Sequence, residues 1–181
     1  HGQQRPARHV FHDSHDPPTG CSIRRVSTFN GLPAHVLFVH FIVVLAPLTA
    51  VLAILCAVWP AARQRLVWLV LALSLAVAVL TPLTTEAGEW LEHRVERTAL
   101  LHTHTELGDT MIYFSAGLLL VAVLLAVLHL RSSRGKSVST VLTALVAVLA
   151  VVVGAATVVQ VYRIGDSGAK ATWSDIPLTA P

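Results

Sequence analysis

Four long apolar segments dominate this chain, and they restrict its fold more than any other feature. They span residues 34–59, 66–83, 107–130 and 138–161, and none has Lys or Arg in its interior. Each is close to the ~20 residues that an α-helix needs to cross ~30 Å of hydrocarbon. Because lipid offers no partner for unpaired backbone groups, such segments should be helical. The sequence therefore predicts an all-α fold, an integral membrane four-helix bundle.

The connections predict the order and orientation of the helices. The loops at residues 60–65 and 131–137 are short, which makes consecutive helices antiparallel in an up-down-up-down order. Both loops are basic, so the positive-inside rule predicts a multi-pass cell-membrane protein with these loops in the cytoplasm. If residues 1–25 belong to the native protein, Arg24 and Arg25 precede the first helix and favour the opposite orientation.

The chain divides into three parts. Residues 1–25 are rich in Pro, Gly, Arg and His and are predicted to be a disordered tail. An alternative expectation is that this tail precedes the native protein, since Val26 opens the next run like a translated start codon. Residues 26–162 are predicted to form the transmembrane domain, and the Gly/Ser-containing segment 163–181 a flexible C-terminal tail.

Composition favours a lipid environment and excludes several functions. Apolar residues make up 54% of the 181 residues and charged residues only 13%, against about a quarter charged in an ordinary soluble domain. A net charge of +3 is too small for a nucleic-acid surface. Nucleophile motifs, Gly-rich phosphate loops and paired-cysteine zinc sites are absent from the sequence, so an enzyme is not the favoured class. The expected partners are the lipid bilayer and other membrane subunits, with no nucleic acid.

The connector between the second and third apolar segments, TEAGEWLEHRVERTALL, predicts a short amphipathic helix on the membrane interface. Glu89 and His93 lie one turn apart on its polar face. Such a pair can supply two ligands to a zinc, iron or manganese ion. The alternative is a solvated face on which the two side chains pair with each other.

Histidines and carboxylates collect at one end of the predicted bundle. The pattern Thr103-His104-Thr105-Glu106 matches a capping box and predicts that the third membrane helix begins at His104. Asp109 then lies ~7.5 Å into that helix, at a depth similar to that of His40 in the first helix. Because buried ionisable groups normally pair, we expect a His40–Asp109 hydrogen bond.

Two alternatives remain open for these residues. The Asp109 carboxylate could orient His40 as a haem or metal ligand, or the pair could simply hold two helices together. Bis-histidine haem requires a second histidine at the level of His40 on a facing helix, and His104 lies several residues shallower. His35 and His104 match each other better in depth, and they could join His93 or His102 in an interfacial metal site.

The stretch GLPAHVLFVHF resembles the opening helix of a bacterial membrane family, domain-of-unknown-function family 2231. The family pattern is roughly Gly-x-Pro-x-His-Pro-x-x-Val-His-Phe-Pro, and the matching residues are Gly31, Pro33, His35, Val39, His40 and Phe41. Val36 and Ile42 stand where the family usually has proline. The dense Ala, Val and Leu usage resembles an actinobacterial version. The resemblance implies the four-helix fold and singles out His35 and His40, but it implies no activity.

The leading functional hypothesis is binding of haem b or a transition metal at the polar end, for electron transfer or metal handling. Its predicted ligands are His35, His40 and His104, with Asp109 orienting His40 and with Glu89, His93 and His102 as further metal ligands. The alternative is a non-catalytic scaffold or accessory subunit of a larger complex. Proton transfer through His40 and Asp109 is weaker, because the second and fourth segments offer no ionisable partner at mid-membrane.

Overall fold

A computed structural model describes residues 28–29, 32–96 and 98–173. Two short strands, β1 (Thr28–Phe29) and β2 (Leu32–Pro33), pair antiparallel and lead directly into the first helix. The helices are α1 (Ala34–Val58), α2 (Pro60–Glu92), α3 (Ala99–Asp109), α4 (Met111–Ser133) and α5 (Thr140–Trp173). The tail predicted for residues 1–25 lies outside the described residues.

Four stretches of the described chain are helical, long and apolar enough to cross a membrane: His35–Val58, Pro60–Glu92, Ala99–Ser133 and Thr140–Trp173. Large apolar side chains cover their outer surfaces, and Val44 and Leu145, for example, are 63% and 62% exposed. A soluble protein rarely exposes apolar surface in such continuous stretches. The predicted all-α, four-span architecture is confirmed.

The helix α2 is longer than the second apolar segment predicts. Pro60 occupies its first turn, where a missing N–H costs nothing, and the preceding Trp59 is extended, as the residue before a proline tends to be. The helix then continues through Thr84 and Ala87, both buried, and ends at Glu92. Residues 85–92, predicted to start a separate interfacial helix, are therefore the last turns of α2.

The third membrane-spanning stretch is broken into α3 and α4 at Thr110. It begins at Ala99, where the Thr98 side chain accepts a hydrogen bond from the Leu101 N–H at 3.1 Å. The prediction that this helix starts at His104 with Thr103 as its cap is wrong. Thr103 lies inside α3, and its hydroxyl donates to the carbonyl of Ala99.

The four long helices form a square in which α1 packs against α2 and α5, and α4 packs against the same two helices. The short helix α3 lies mainly on α5. The helix α5 continues past residue 162 to Trp173, where the sequence suggests a flexible tail, because α3 gives its last turns a surface to pack on. Residues 174–181 are outside the described part.

Two buried clusters form the core. One joins Ala53 and Cys56 near the end of α1 to Val67 in the first turns of α2. The other joins Ile42 and Val77 to residues of α4 and α5. The start of α1 therefore lies beside the end of α2, and this end of the bundle holds His35 and His40.

Candidate functional site

A cavity of about 740 Å³ opens at the end of the bundle where α1 begins and α2 and α5 end. This volume lies within the range of about 300–1,000 Å³ that is usual for small-molecule sites. Apolar side chains form its inner wall, among them Val39, Ile42, Met111, Val161 and Ile164. Two half-buried histidines, His35 of α1 and His104 of α3, also line the cavity.

The imidazole of His35 bridges α1 and α2. Its Nδ1 lies 2.9 Å from the carbonyl oxygen of Thr84, which is 49 residues away in the chain. A carbonyl oxygen can only accept a hydrogen bond, so Nδ1 carries the proton. In the neutral ring, Nε2 then has a free lone pair, which is the form that binds a metal.

The imidazole of His104 makes the same kind of contact between α3 and α5. Its Nδ1 lies 3.1 Å from the carbonyl oxygen of Ile164 and 3.1 Å from the Ser167 hydroxyl. That hydroxyl donates its own hydrogen to the Ile164 carbonyl at 2.9 Å, which leaves its oxygen free to accept from Nδ1. The protonated nitrogen of His104 is therefore Nδ1 as well.

Each ring also lies against a glycine one helical turn beyond its carbonyl acceptor. A Cβ added at Gly88 would stand 3.0 Å from Nδ1 and Cε1 of His35. A Cβ added at Gly168 would stand 3.0 Å from Cε1 and 3.2 Å from Nδ1 of His104. The two histidines thus have matching seats, each made of a backbone carbonyl and a glycine on the neighbouring helix.

The two imidazoles line the same cavity, although they belong to helices far apart in the chain. Their sequence separation hides this shared position, although their similar predicted depth is consistent with it. No local pattern marks Thr84, Gly88, Ile164 or Gly168 as parts of a site. A glycine inside a helix is a weak sign of close approach, and it is the one sequence signal these seats offer.

His40 and Asp109 are brought to the same cavity but not to each other. His40 is exposed, and its Nδ1 lies 2.5 Å from the carbonyl oxygen of Val36 in its own helix. Asp109 is exposed at the end of α3. The predicted His40–Asp109 hydrogen bond is therefore wrong. Asp109 lies on the exposed side of this stretch, whereas Met111 two residues later is buried.

The other predicted ligands are spread over the surface. Glu89 lines the cavity with an exposed side chain, whereas exposed His93 follows the end of α2. His102 is exposed, and its Nδ1 lies 3.6 Å from a carboxylate oxygen of Glu106. Across residues 28–29, 32–96 and 98–173, no group of three or more His, Cys, Asp or Glu side chains could hold a metal ion. The residues predicted as metal ligands are therefore not gathered into a group of three or more in this part of the chain: His35, His40, Glu89, His93, His102 and His104.

Comparison with known proteins identifies the family. A family model described as "Predicted membrane protein (DUF2231)" matches residues 31–178, which include all five helices. The chain belongs to this family. No curated protein and no solved structure matches the chain.

Proposed function

We propose that this member of the family binds haem b, which His35 and His104 would hold through their Nε2 atoms, and that the haem would serve electron transfer at one face of the membrane. The observation that carries the proposal is the pair of matching seats. Both rings donate from Nδ1 to a backbone carbonyl, and both line one cavity. A histidine ligand in proteins typically donates its other ring nitrogen in this way, which sets the tautomer and the ring orientation.

Ligand number favours haem over a bare metal ion. A structural or catalytic zinc site takes three or four protein ligands, and the described residues contain no such group. The porphyrin already supplies four nitrogens to haem iron, so the protein needs to add only one or two ligands. Two histidines on different helices match that requirement, as in helix bundles that hold cofactors between facing helices.

The cavity wall also suits a porphyrin. Val39, Ile42, Met111 and Val161 offer apolar contacts for a large flat ring. Thr81 and Thr84 lie on the same wall, and their hydroxyls donate to carbonyls of their own helix, Val77 and Leu80, at 2.8 and 2.7 Å. Both threonine hydroxyls therefore already have a hydrogen-bond acceptor, and an apolar ligand could pack against them at no cost in lost hydrogen bonds. When bound, haem would supply one-electron chemistry, and the chain would supply binding and orientation.

The decisive experiment is a visible spectrum of the purified full chain in detergent, as isolated and after titration with haemin. We expect a Soret band at one haem per chain, with the reduced spectrum of a low-spin, six-coordinate iron. His35→Ala and His104→Ala should each abolish that low-spin spectrum. His40→Ala is the matched control, since His40 lies on the same helix and cavity but bonds to its own backbone. A chain that stays colourless with haemin, or equal effects of all three variants, would overturn the proposal.

The second candidate is a non-catalytic accessory subunit, and one observation favours it. The His35 and His104 hydrogen bonds each join two helices, which is what purely structural histidines do. This candidate predicts that His35→Gln and His104→Gln lower the unfolding temperature in detergent without any change in bound cofactor. A variant that loses haem but unfolds at the wild-type temperature would exclude it.

We further propose that the basic end of the bundle faces the cytoplasm and the cavity faces outward. Arg63 and Arg65 begin α2, and Arg131 and Arg134 end α4, all at the end away from His35 and His104. Short basic segments beside membrane helices are retained on the cytoplasmic side. A reporter that is active only outside the cell, fused after residue 181, should be active. Activity of the same reporter inserted at Gly135 would reverse the assignment.

A further inference from the structure

Gln160 is the buried polar side chain of α5 that reaches another helix. It is only 4% exposed and lies within a membrane-spanning stretch. Its Nε2 donates to the carbonyl oxygen of Leu107 at 3.1 Å and to the Thr110 hydroxyl oxygen at 2.7 Å. A buried amide without partners costs free energy, so these two contacts account for its place in an apolar helix.

Both contacts lie at the break between α3 and α4. The last carbonyls of a helix have no partner within it, and Leu107 is in the last turn of α3. The Thr110 hydroxyl donates to the same Leu107 carbonyl at 2.7 Å. Gln160 and Thr110 therefore together satisfy the carbonyl of Leu107 near the end of the interrupted helix.

The helix α3 is attached to the rest of the bundle mainly through α5. None of its residues is fully buried, and it lies mainly on α5. Its two polar attachments to α5 are the Gln160 contacts at its end and the His104 contact with Ile164 and Ser167. Gln160 and Ile164 are one turn apart on α5, so the two attachments follow one stripe of that helix.

We propose that Gln160 is the positioning residue for His104. By holding the end of α3 on α5, the amide keeps His104 in its seat and its Nε2 available at the cavity. This role rests on the proposed haem function, because Gln160 would control the position of His104 as a haem ligand.

The test compares Gln160→Leu with Thr157→Val in the full chain. Thr157 is a buried polar residue one turn earlier on α5, but its hydroxyl donates within the helix to Val153 at 2.8 Å. With haemin bound, Gln160→Leu should lose the six-coordinate low-spin signal and gain a five-coordinate high-spin one, while Thr157→Val keeps the wild-type spectrum. A spectrum unchanged by Gln160→Leu overturns the role of Gln160 alone, whereas a wild-type chain that binds no haem overturns the proposed function together with this role.

Hydrogen exchange separates displacement of α3 from general unfolding. In the same samples, Gln160→Leu should speed amide exchange in residues 99–109 and leave α1 unchanged, because the amide donates its hydrogen bonds to Leu107 and Thr110 and not to α1. Thr110→Val removes the hydroxyl oxygen that accepts from Gln160, and it should also speed amide exchange in residues 99–109. Faster exchange throughout the chain would mean that Gln160 serves overall stability, which also overturns the role.

Discussion

His35 and Gly88 are in direct contact, and the contact leaves no room for a side chain at residue 88. A Cβ there would stand 3.0 Å from two atoms of the imidazole. The ring cannot retreat freely, because its Nδ1 is held by the Thr84 carbonyl at 2.9 Å. The same relationship joins His104 to Gly168 on the other side of the cavity. Two helical turns, residues 84–88 of α2 and 164–168 of α5, therefore fix the positions of the two imidazoles through a backbone carbonyl and a glycine each.

Gly88→Ala should displace His35 from its seat. The lost hydrogen bond costs ~1 kcal/mol, and replacing glycine by alanine within a helix returns up to ~1 kcal/mol. We therefore expect a nearly unchanged unfolding temperature but a marked loss of haem binding, measured as Soret absorbance per chain. Gly108→Ala is the control, since Gly108 also lines the cavity and a Cβ there meets no atom within 4 Å. Equal haem binding by the two variants would contradict the prediction.

Gly168→Ala should act on His104 in the same way. Gly165 offers the sharper comparison here, because it lies on the same helix and cavity with nothing within 4 Å of an added Cβ. We expect Gly165→Ala to raise stability by at most ~1 kcal/mol with full haem binding. Gly168→Ala should lose the low-spin spectrum, and a wild-type spectrum from it would show that His104 is not a ligand in this seat.

Gly154 on α5 should tolerate no larger residue against α1. A Cβ there would stand 2.8 Å from Cδ1 of Ile54 and 3.2 Å from its Cγ1. Overpacking of this kind costs about 1–3 kcal/mol, so Gly154→Ala should lower the unfolding temperature in detergent. Adding Ile54→Val removes the Cδ1 methyl and should recover part of the loss. Strictly additive effects of the two changes in a double-mutant cycle would argue against the contact.

If haem binds as proposed, the carboxylates beside the cavity should lower its reduction potential. Glu89 and Asp109 line the cavity, and negative charge stabilises the ferric over the ferrous state. Glu89→Gln and Asp109→Asn should each raise the midpoint potential in a redox titration. The effect should be modest and smaller at high salt, because both side chains are exposed. Glu106→Gln is the control, since Glu106 is exposed near His102 and does not line the cavity; a matching shift from that variant would rule out a local effect.

Helix ends show where local patterns mislead. The sequence Thr103-His104-Thr105-Glu106 has a sound capping signal, yet α3 already begins at Ala99 with Thr98 as its cap. Either threonine can cap a helix, and the choice depends on the packing of the extra turn against α5. The last turns of α5 form for the same reason, because intrinsic propensity is a weak determinant where tertiary contacts are available.

The His40–Asp109 prediction was wrong for the same reason, since local patterns do not contain tertiary contacts. It placed both residues at similar depths along continuous helices, which is a correct use of the helical rise. The exposed positions of His40 and Asp109 are not visible in the local pattern. The matched depth of His35 and His104 was a better guide, since each of these rings bonds to a neighbouring helix beside the cavity, whereas His40 bonds to its own helix.

The sequence by itself determined that this chain has four membrane-spanning helices. Segment length and hydropathy are local properties, and lipid leaves a polypeptide few other ways to pair its backbone. Only the tertiary structure decided which histidines bond to a neighbouring helix. Their seats come from a carbonyl 49 residues away for His35 and one 60 residues away for His104. Contacts at that separation depend on how the helices pack, and no window along the chain contains both partners.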